Sequence, residues 1–193
     1  MPLAMSVTLD TRAFEAAVKA LGRPTLDEPV AKALRATANQ ARNQAALAIE
    51  KRWGIKSRDT GGKRNQDVLS QIRVPFVPVG AYAAEIISSK RGLALSRFSV
   101  RQYPFGVVTT AWGIPKLIKH AFIATMPKTG HRGVYIRRGK SRLPIQELFG
   151  PSVHGTFTTK EVADVIAATT GRRLATNLAR QVRASVRRLV GHA

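Results

Sequence analysis

The most regular pattern in the chain is a stripe of apolar residues at helical spacing between residues 27 and 53. Its members are Val30, Leu34, Ala38, Ala41, Ala45, Ile49 and Trp53. Asp27 and Pro29 are typical of a first helical turn, and Gly54 is typical of the position after a helix. The pattern predicts one helix of about 25 residues. Its alanines would let that helix pack flat on a sheet.

Between residues 81 and 149 the apolar positions follow the shorter period of β-strands. Four such segments, separated by turn residues, predict an antiparallel meander at residues 81–88, 93–100, 106–112 and 120–126. Two further segments, at residues 134–138 and 143–149, predict a fifth strand and a short closing element. The middle of the chain is therefore expected to form a mainly antiparallel sheet of about four to five strands.

Helical spacing returns after residue 158. The apolar positions are Val162, Val165 and Ile166, followed by Leu174, Leu178, Val182, Val186 and Leu189. The apolar pattern is interrupted between Thr169 and Gly171. This interruption predicts two helices, or one helix broken at Gly171. The order helix, strands, helix indicates the α+β class, with the sheet packed against a long N-terminal helix and C-terminal helices.

This pattern divides the chain into three parts. Residues 1–26 are an N-terminal arm with a short helix, which Asp10 can cap and Gly22 can end. Residues 27–155 are the core α+β domain, in which the polar residues 57–67 are expected to form a mobile loop. Residues 156–193 are an arginine-rich helical extension, expected to dock by its apolar stripe and to lie outside the domain core.

Charge is distributed very unevenly along the chain. The net charge is +21, of which residues 1–50 contribute +1 and residues 51–193 contribute +20. Such a concentration of positive charge attracts polyanions. Its self-repulsion destabilises the folded protein unless an anionic partner neutralises it. Nucleic acid and an acidic protein surface are both candidate partners.

Two clusters of basic residues are the candidate contacts with such a partner. One surrounds a predicted turn at Gly139 and contains Arg137, Arg138, Lys140 and Arg142; the other lies on the last helix and contains Arg173, Arg180, Arg183 and Arg187. No acidic residue follows Asp164, so like charges such as Arg180 and Arg183 repel each other at helical neighbour positions. A solvated face is the alternative interpretation of both clusters.

Several kinds of functional site are absent from the sequence. There is no cysteine, so disulfides and thiolate chemistry are excluded. Residues 133–141 resemble a phosphate-binding loop, but five residues separate Gly133 from Gly139 where that motif requires four, and those five favour a strand. No apolar stretch is long enough to span a membrane. We therefore expect no nucleotide cofactor and no membrane contact.

The sequence also lacks the residue patterns that are typical of acid–base or metal chemistry. The histidines, His120, His131, His154 and His192, are not placed at metal-ligand spacing. In the strand region only Glu85 and Glu147 could act as paired carboxylates, and each is expected to pair with a nearby arginine instead. No nucleophile elbow surrounds any serine. We predict that the chain is not an enzyme and has no metal, cofactor or small-molecule substrate.

Three segments nevertheless carry a family resemblance. They are residues 93–98 (LALSRF), 119–126 (KHAFIATM) and 130–153 (GHRGVYIRRGKSRLPIQELFGPSV). In this order, and downstream of a long amphipathic helix, they resemble the phage minor tail protein Z family over roughly residues 27–155. We interpret Gly130, His131, Gly133, Gly139 and Pro144 as structural turn residues, with positive φ expected near His131.

The resemblance implies a structural role in a tailed bacteriophage. It implies a homo-oligomeric ring, expected to have six subunits, at the head-proximal end of the tail, where the tail is completed and joined to the head in the virion neck. The implied partners are the tail terminator, the head-completion or connector proteins, and also the tape-measure protein and the end of the genomic DNA. Such a protein would be assembled in the host cytoplasm and located in the virion.

A second interpretation rests on charge alone, namely a stand-alone basic nucleic-acid-binding protein. A standard nucleic-acid reader would show a helix-turn-helix, or aromatic residues spaced for base stacking on a sheet. Aromatic residues make up only 6% of the chain, and those in the predicted strands lie mostly among apolar neighbours. The sequence therefore favours the tail protein.

Overall fold

The computed structural model of the chain describes residues 23–55, 67–80 and 82–190. The helices are α1 (Arg23–Trp53), α2 (Val153–Phe157) and α3 (Lys160–Val190), with short 3-10 turns at Leu69–Gln71 and Leu95–Arg97. The strands are β1 (Ile72–Arg73), β2 (Ile87–Ser88), β3 (Gly92–Ala94), β4 (Val100–Tyr103), β5 (Gly106–Thr109), β6 (Lys116–Lys119), β7 (Ala121–Thr125), β8 (Arg132–Arg137), β9 (Ile145–Glu147) and β10 (Phe149–Ser152).

Two predicted features lie wholly or mostly outside these residues. The short helix of the N-terminal arm lies outside the described residues, as does nearly all of the predicted mobile loop at residues 57–67. Of the helices described, none combines the length and the apolar content needed to cross a bilayer.

The α+β class is confirmed, and every strand pair in the described part of the chain is antiparallel. The predicted single meander is divided into four small sheets, namely β1–β2, β3–β10, β4–β5–β6 and β7–β8–β9. The segment at residues 93–100 is interrupted by the 3-10 turn Leu95–Arg97, where the side chain of Leu95 is buried. Strand β6 was not predicted, because its sequence KLIK has no strict alternation of apolar and polar residues.

The described residues group into two compact units. The first contains residues 23–45, 72–80, 82–88 and 160–190, and the second contains residues 46–55, 67–71 and 89–159. Helix α1 contributes its first part to the first unit and its last part to the second. The division into arm, core domain and extension made from the sequence stays a prediction.

The predicted apolar stripe of α1 is confirmed, because all seven of its residues are buried. The helix begins earlier than Asp27 and contains Pro29 within it. Leu26 is only 2% exposed, and burial of its side chain stabilises the additional first turn. The helix ends as predicted before Gly54, whose φ of +64° is the left-handed conformation that a glycine adopts at little cost.

In the first unit the partner of α1 is the last helix. Leu174 and Leu178 of α3 pack against a core cluster of Val30, Ala31, Leu34 and Val77. The contact also contains a buried polar link, in which the Asn177 amide donates to the Thr37 hydroxyl at 2.9 Å. The same amide group donates to the Gln40 side-chain oxygen at 3.2 Å. Apolar burial and a fixed hydrogen bond therefore hold α3 against α1 in this unit.

The break predicted near Gly171 is wrong, because α3 is continuous from Lys160 to Val190. The hydroxyls of Thr169 and Thr170 donate to the backbone carbonyls of Val165 and Ile166, both at 2.8 Å, so these side chains are satisfied within the helix. A glycine in a helix costs only about 1 kcal/mol relative to alanine. Burial of the apolar stripe on either side outweighs that cost.

In the second unit the core forms between the end of α1 and the sheets. The rings of Trp53 and Phe98 lie 5.6 Å apart. Val107 and Thr109 of β5 and Val134 of β8 are fully buried. Gln102 links the two three-stranded sheets, because its side-chain oxygen accepts a hydrogen bond from the Ile123 backbone N–H at 2.8 Å.

Candidate functional site

The first basic cluster lies on and beside the connection between β8 and β9. The Arg137 guanidinium lies over the Phe122 ring at 5.1 Å, and the Arg138 Nε donates to the Gln146 side-chain oxygen at 3.1 Å. Lys140 and Arg142 are exposed within the connection itself. Across the part of the chain that the structure describes, none of these four cations pairs with a carboxylate. The cluster is therefore available to bind an anionic partner.

The predicted turn residues serve different purposes. Gly130 has a φ of +67°, and its N–H donates to the Met126 carbonyl at 2.9 Å, closing the turn between β7 and β8. Gly133 differs from the expectation, because it lies inside β8 without a positive φ. A Cβ on Gly133 would lie 2.7 Å from the Tyr135 hydroxyl, so close approach of that ring is what requires glycine here. Gly139 is exposed in the next connection, which ends at the cis peptide bond Leu143–Pro144.

His131 forms a contact that the sequence did not predict. Its Nε2 lies 2.7 Å from Glu147 Oε1, so the expected pairing of Glu147 with an arginine is wrong. The contact is diagonal across the two strands, because Glu147 lies opposite Tyr135 and His131 immediately precedes β8, four residues before Tyr135. Burial raises the pKa of the Tyr135 hydroxyl above its ordinary value of 10.0, and the Glu147 carboxylate raises it further.

The second basic cluster lies on α3, where Arg173, Arg180, Arg183 and Arg187 are all exposed. Arg180 also donates to the Asn177 side-chain oxygen at 3.2 Å, which connects it to the buried link with Thr37. The part of α3 that precedes the arginines is buried, since Val162 and Ile166 are fully buried, whereas the expectation that the arginine-bearing part lies outside the domain core stays a prediction. The apolar stripe drives this burial, and the arginines occupy the other side of the same helix.

Within the first unit, Arg173 also lines an open polar cleft of about 530 Å³ between α1 and α3. Its lining residues are Gln40, Asn43, Gln44, Thr169, Arg172 and Arg173. These side chains offer amide, hydroxyl and guanidinium groups and no carboxylate, a composition suited to an anion. Sequence reasoning missed the α1 side of the cleft. The available signal was the spacing of Gln40, Asn43 and Gln44, which places three amides on one face of the helix.

The described residues contain no group of three or more His, Asp or Glu side chains that could hold a metal ion. The His131–Glu147 pair is partly exposed and joins two strands. The basic clusters and the cleft can donate hydrogen bonds to phosphate or carboxylate oxygens. Their chemistry is that of binding a charged partner.

A family model described as prophage minor tail protein Z matches residues 11–192. No curated protein and no solved structure matches the chain. The family match extends beyond residues 27–155 at both ends, so the expectation that the C-terminal helix lies outside the family pattern is wrong. Because nearly the whole sequence is matched, the chain belongs to the prophage minor tail protein Z family and is a structural protein of the bacteriophage tail.

Proposed function

We propose that the protein is a tail-completion subunit, which forms a ring at the head-proximal end of the tail and is needed to join the tail to the head. Membership of the family over residues 11–192 is the observation that carries this proposal. The ring and its position are what the resemblance to the family implies. The protein would enter the virion after assembly in the host cytoplasm, and it would act by contact without catalytic turnover.

Charge supports a position between acidic or polyanionic neighbours. A ring of identical subunits, each with a net charge of +21, would repel itself strongly unless its partners carried negative charge. Candidate partners at this position are the tail terminator, the head-completion or connector proteins, the tape-measure protein and the end of the DNA. The first basic cluster, which contains Lys140, and the second basic cluster, which contains Arg183, are the surfaces proposed to contact these partners.

The test is deletion of the gene from an inducible prophage, with complementation from a plasmid. Without the protein, electron microscopy is expected to show filled heads and separate tails, and the complemented strain should give joined particles. Purified wild-type protein, or the neck of the particle, should show a ring of about six subunits, as expected from tail symmetry. Normal infectious particles made without the protein would exclude a role in joining.

A stand-alone nucleic-acid-binding protein is the second candidate function. The observation that favours it is the cleft beside Arg172 and Arg173, whose donors suit phosphate as well as carboxylate. Purified virions separate the two functions. A tail subunit is expected in the particle at a fixed number of copies, whereas a free nucleic-acid-binding protein would be recovered from the cell fraction and be absent from virions.

A further inference from the structure

One face of the sheet β4–β5–β6 carries large apolar side chains exposed to solvent. Residues opposite each other on neighbouring strands share a face. Arg101 lies opposite Val108, which lies opposite Leu117. Tyr103 and Lys119 lie opposite Gly106 from its two sides. We call the face formed by Arg101, Tyr103, Val108, Leu117 and Lys119 the outer face.

The opposite face of the same sheet is its core side. Val107 and Thr109 point there and are fully buried. On the outer face Tyr103 is 36% exposed and Leu117 is 37% exposed. Phe105, in the turn between β4 and β5, is 61% exposed and stacks on Tyr103 with the ring centres 6.1 Å apart. The exposed apolar side chains therefore lie on the outer face, whereas on the core side the central residues Val107 and Thr109 are covered and the exposed residues Gln102 and Lys116 are polar.

We propose that the outer face is a docking surface for an acidic surface of another virion protein. Protein interfaces are enriched in aromatic residues and arginine, and apolar residues at their centres lose water on binding. Here the apolar residues Tyr103, Val108 and Leu117 share the face with two exposed cations, Arg101 and Lys119. A partner with carboxylates around an apolar centre would complement both features.

The sequence around the outer face contains no counter-charge of its own. No acidic residue lies anywhere between Glu85 and Glu147. A second copy docked face to face would bring Arg101 and Lys119 of both copies into one interface, which like-charge repulsion opposes. A copy docked by any other surface would still carry a net charge of +21, so a different, acidic protein is the occupant that complements the outer face better.

Nucleic acid fits the same face less well. Bases bind to sheets by stacking on aromatic rings whose faces are open. Tyr103 and Phe105 already stack on each other, with an angle of 16° between the ring planes. Val108 and Leu117 offer aliphatic surface, which buries well against protein but provides no ring for stacking. The combination of aliphatic and self-stacked aromatic groups favours a protein partner.

Site-specific photo-crosslinking in prophage-induced cells tests this inference, which rests on the proposed function only in placing the partner in the virion. A photoreactive amino acid replaces Leu117, and the same amino acid at exposed Thr125 of β7 is the control. The expected product at Leu117 is a crosslink to a segment of another virion protein rich in Asp and Glu, mapped by mass spectrometry. The control position should give little of this product.

Charge reversal then tests the role of the cations. Arg101→Glu combined with Lys119→Glu is expected to lower the crosslink at least about tenfold, since like charges now face the partner. Lys128→Glu combined with Arg132→Glu, both exposed and outside the outer face, should leave it within about twofold. Replacing the acidic residues of the crosslinked segment by lysine should restore binding to the reversed variant.

Three outcomes would overturn the inference: a crosslink from Leu117 to a second copy of this chain, a crosslink to DNA, or no product above the Thr125 control. Persistence of the crosslink in the charge-reversed variant would do the same. Failure of the proposed function is a separate result, because it would appear as absence of the wild-type protein from purified virions. A protein present in virions with no crosslink at Leu117 would leave the tail role intact.

Discussion

The imidazole of His131 lies 2.7 Å from the carboxylate of Glu147, and this contact joins the start of β8 to the edge strand β9. Strand β9 is only three residues long and, among the described strands, pairs with β8 alone. A hydrogen-bonded side-chain pair across so short a ladder helps to fix its register. Because both side chains are partly exposed, we expect a contribution of no more than about 1 kcal/mol to stability.

The first prediction is that His131 and Glu147 are energetically coupled. In a double-mutant cycle with His131→Ala and Glu147→Ala, the coupling free energy is expected to be about 0.5 to 1 kcal/mol, measured by denaturant unfolding at neutral pH. The pair Lys160 and Asp164 on α3 is the control, and its coupling should be weaker because both side chains are highly exposed. Strictly additive effects of the two substitutions would show that the contact does not stabilise the fold.

The second prediction concerns stability at alkaline pH. Burial and Glu147 raise the pKa of Tyr135 in the folded protein, so the folded state holds this proton more tightly than the unfolded chain does. Stability due to neutral Tyr135 is therefore complete below pH 10.0 and is lost as the pH rises through the raised folded pKa. Tyr135→Phe is expected to flatten the fall in unfolding free energy above pH 10.0. An equally steep fall in this variant would contradict the assignment to Tyr135.

The third prediction is that Gly106 is required for the pairing of β5 with β6. A Cβ at this position would lie 2.2 Å from the Ile118 carbonyl oxygen, which belongs to the paired backbone and cannot move without breaking the ladder. Gly106→Ala is expected to lower the unfolding free energy by about 3 kcal/mol. Gly139→Ala is the matched control, since nothing lies within 4 Å of its added Cβ. Equal melting temperatures for the two variants would refute the close approach.

The fourth prediction is that the arginines of α3 contact a polyanion in the assembly. Arg180, Arg183 and Arg187 are exposed, so their combined replacement by glutamine should leave the thermal melt nearly unchanged. Binding to duplex DNA should lose about three units of slope in the plot of log affinity against log salt concentration. Head–tail joining should fall in parallel.

The control for this variant removes the same charge elsewhere. Lys51, Arg73 and Arg91 are exposed and belong to neither basic cluster, so their combined change to glutamine tests the effect of net charge alone. This control is expected to keep most of the salt dependence and normal joining. Fully infectious particles from the α3 variant would show that its charge has no function, and unfolding would show that the arginines stabilise the helix.

The sequence by itself determined the features that depend on local spacing. The apolar stripe from Val30 to Trp53 determined α1 and its buried side, since residues three and four apart share a face of a helix. Alternating apolar segments determined the antiparallel α+β class, and the combination of motifs indicated the family. The basic clusters could be located as well, because their charges lie close together along the chain.

Only the tertiary structure decided which distant residues meet. The contact of His131 with Glu147, the link from Asn177 to Thr37 and the cleft beside Arg173 all join segments whose separation in sequence carries no signal. The continuity of α3 through Gly171 was also decided by packing, because burial on both sides outweighs a weak local preference. Local propensities differ by about 1 kcal/mol or less per residue, so contacts between distant segments determine how the elements combine.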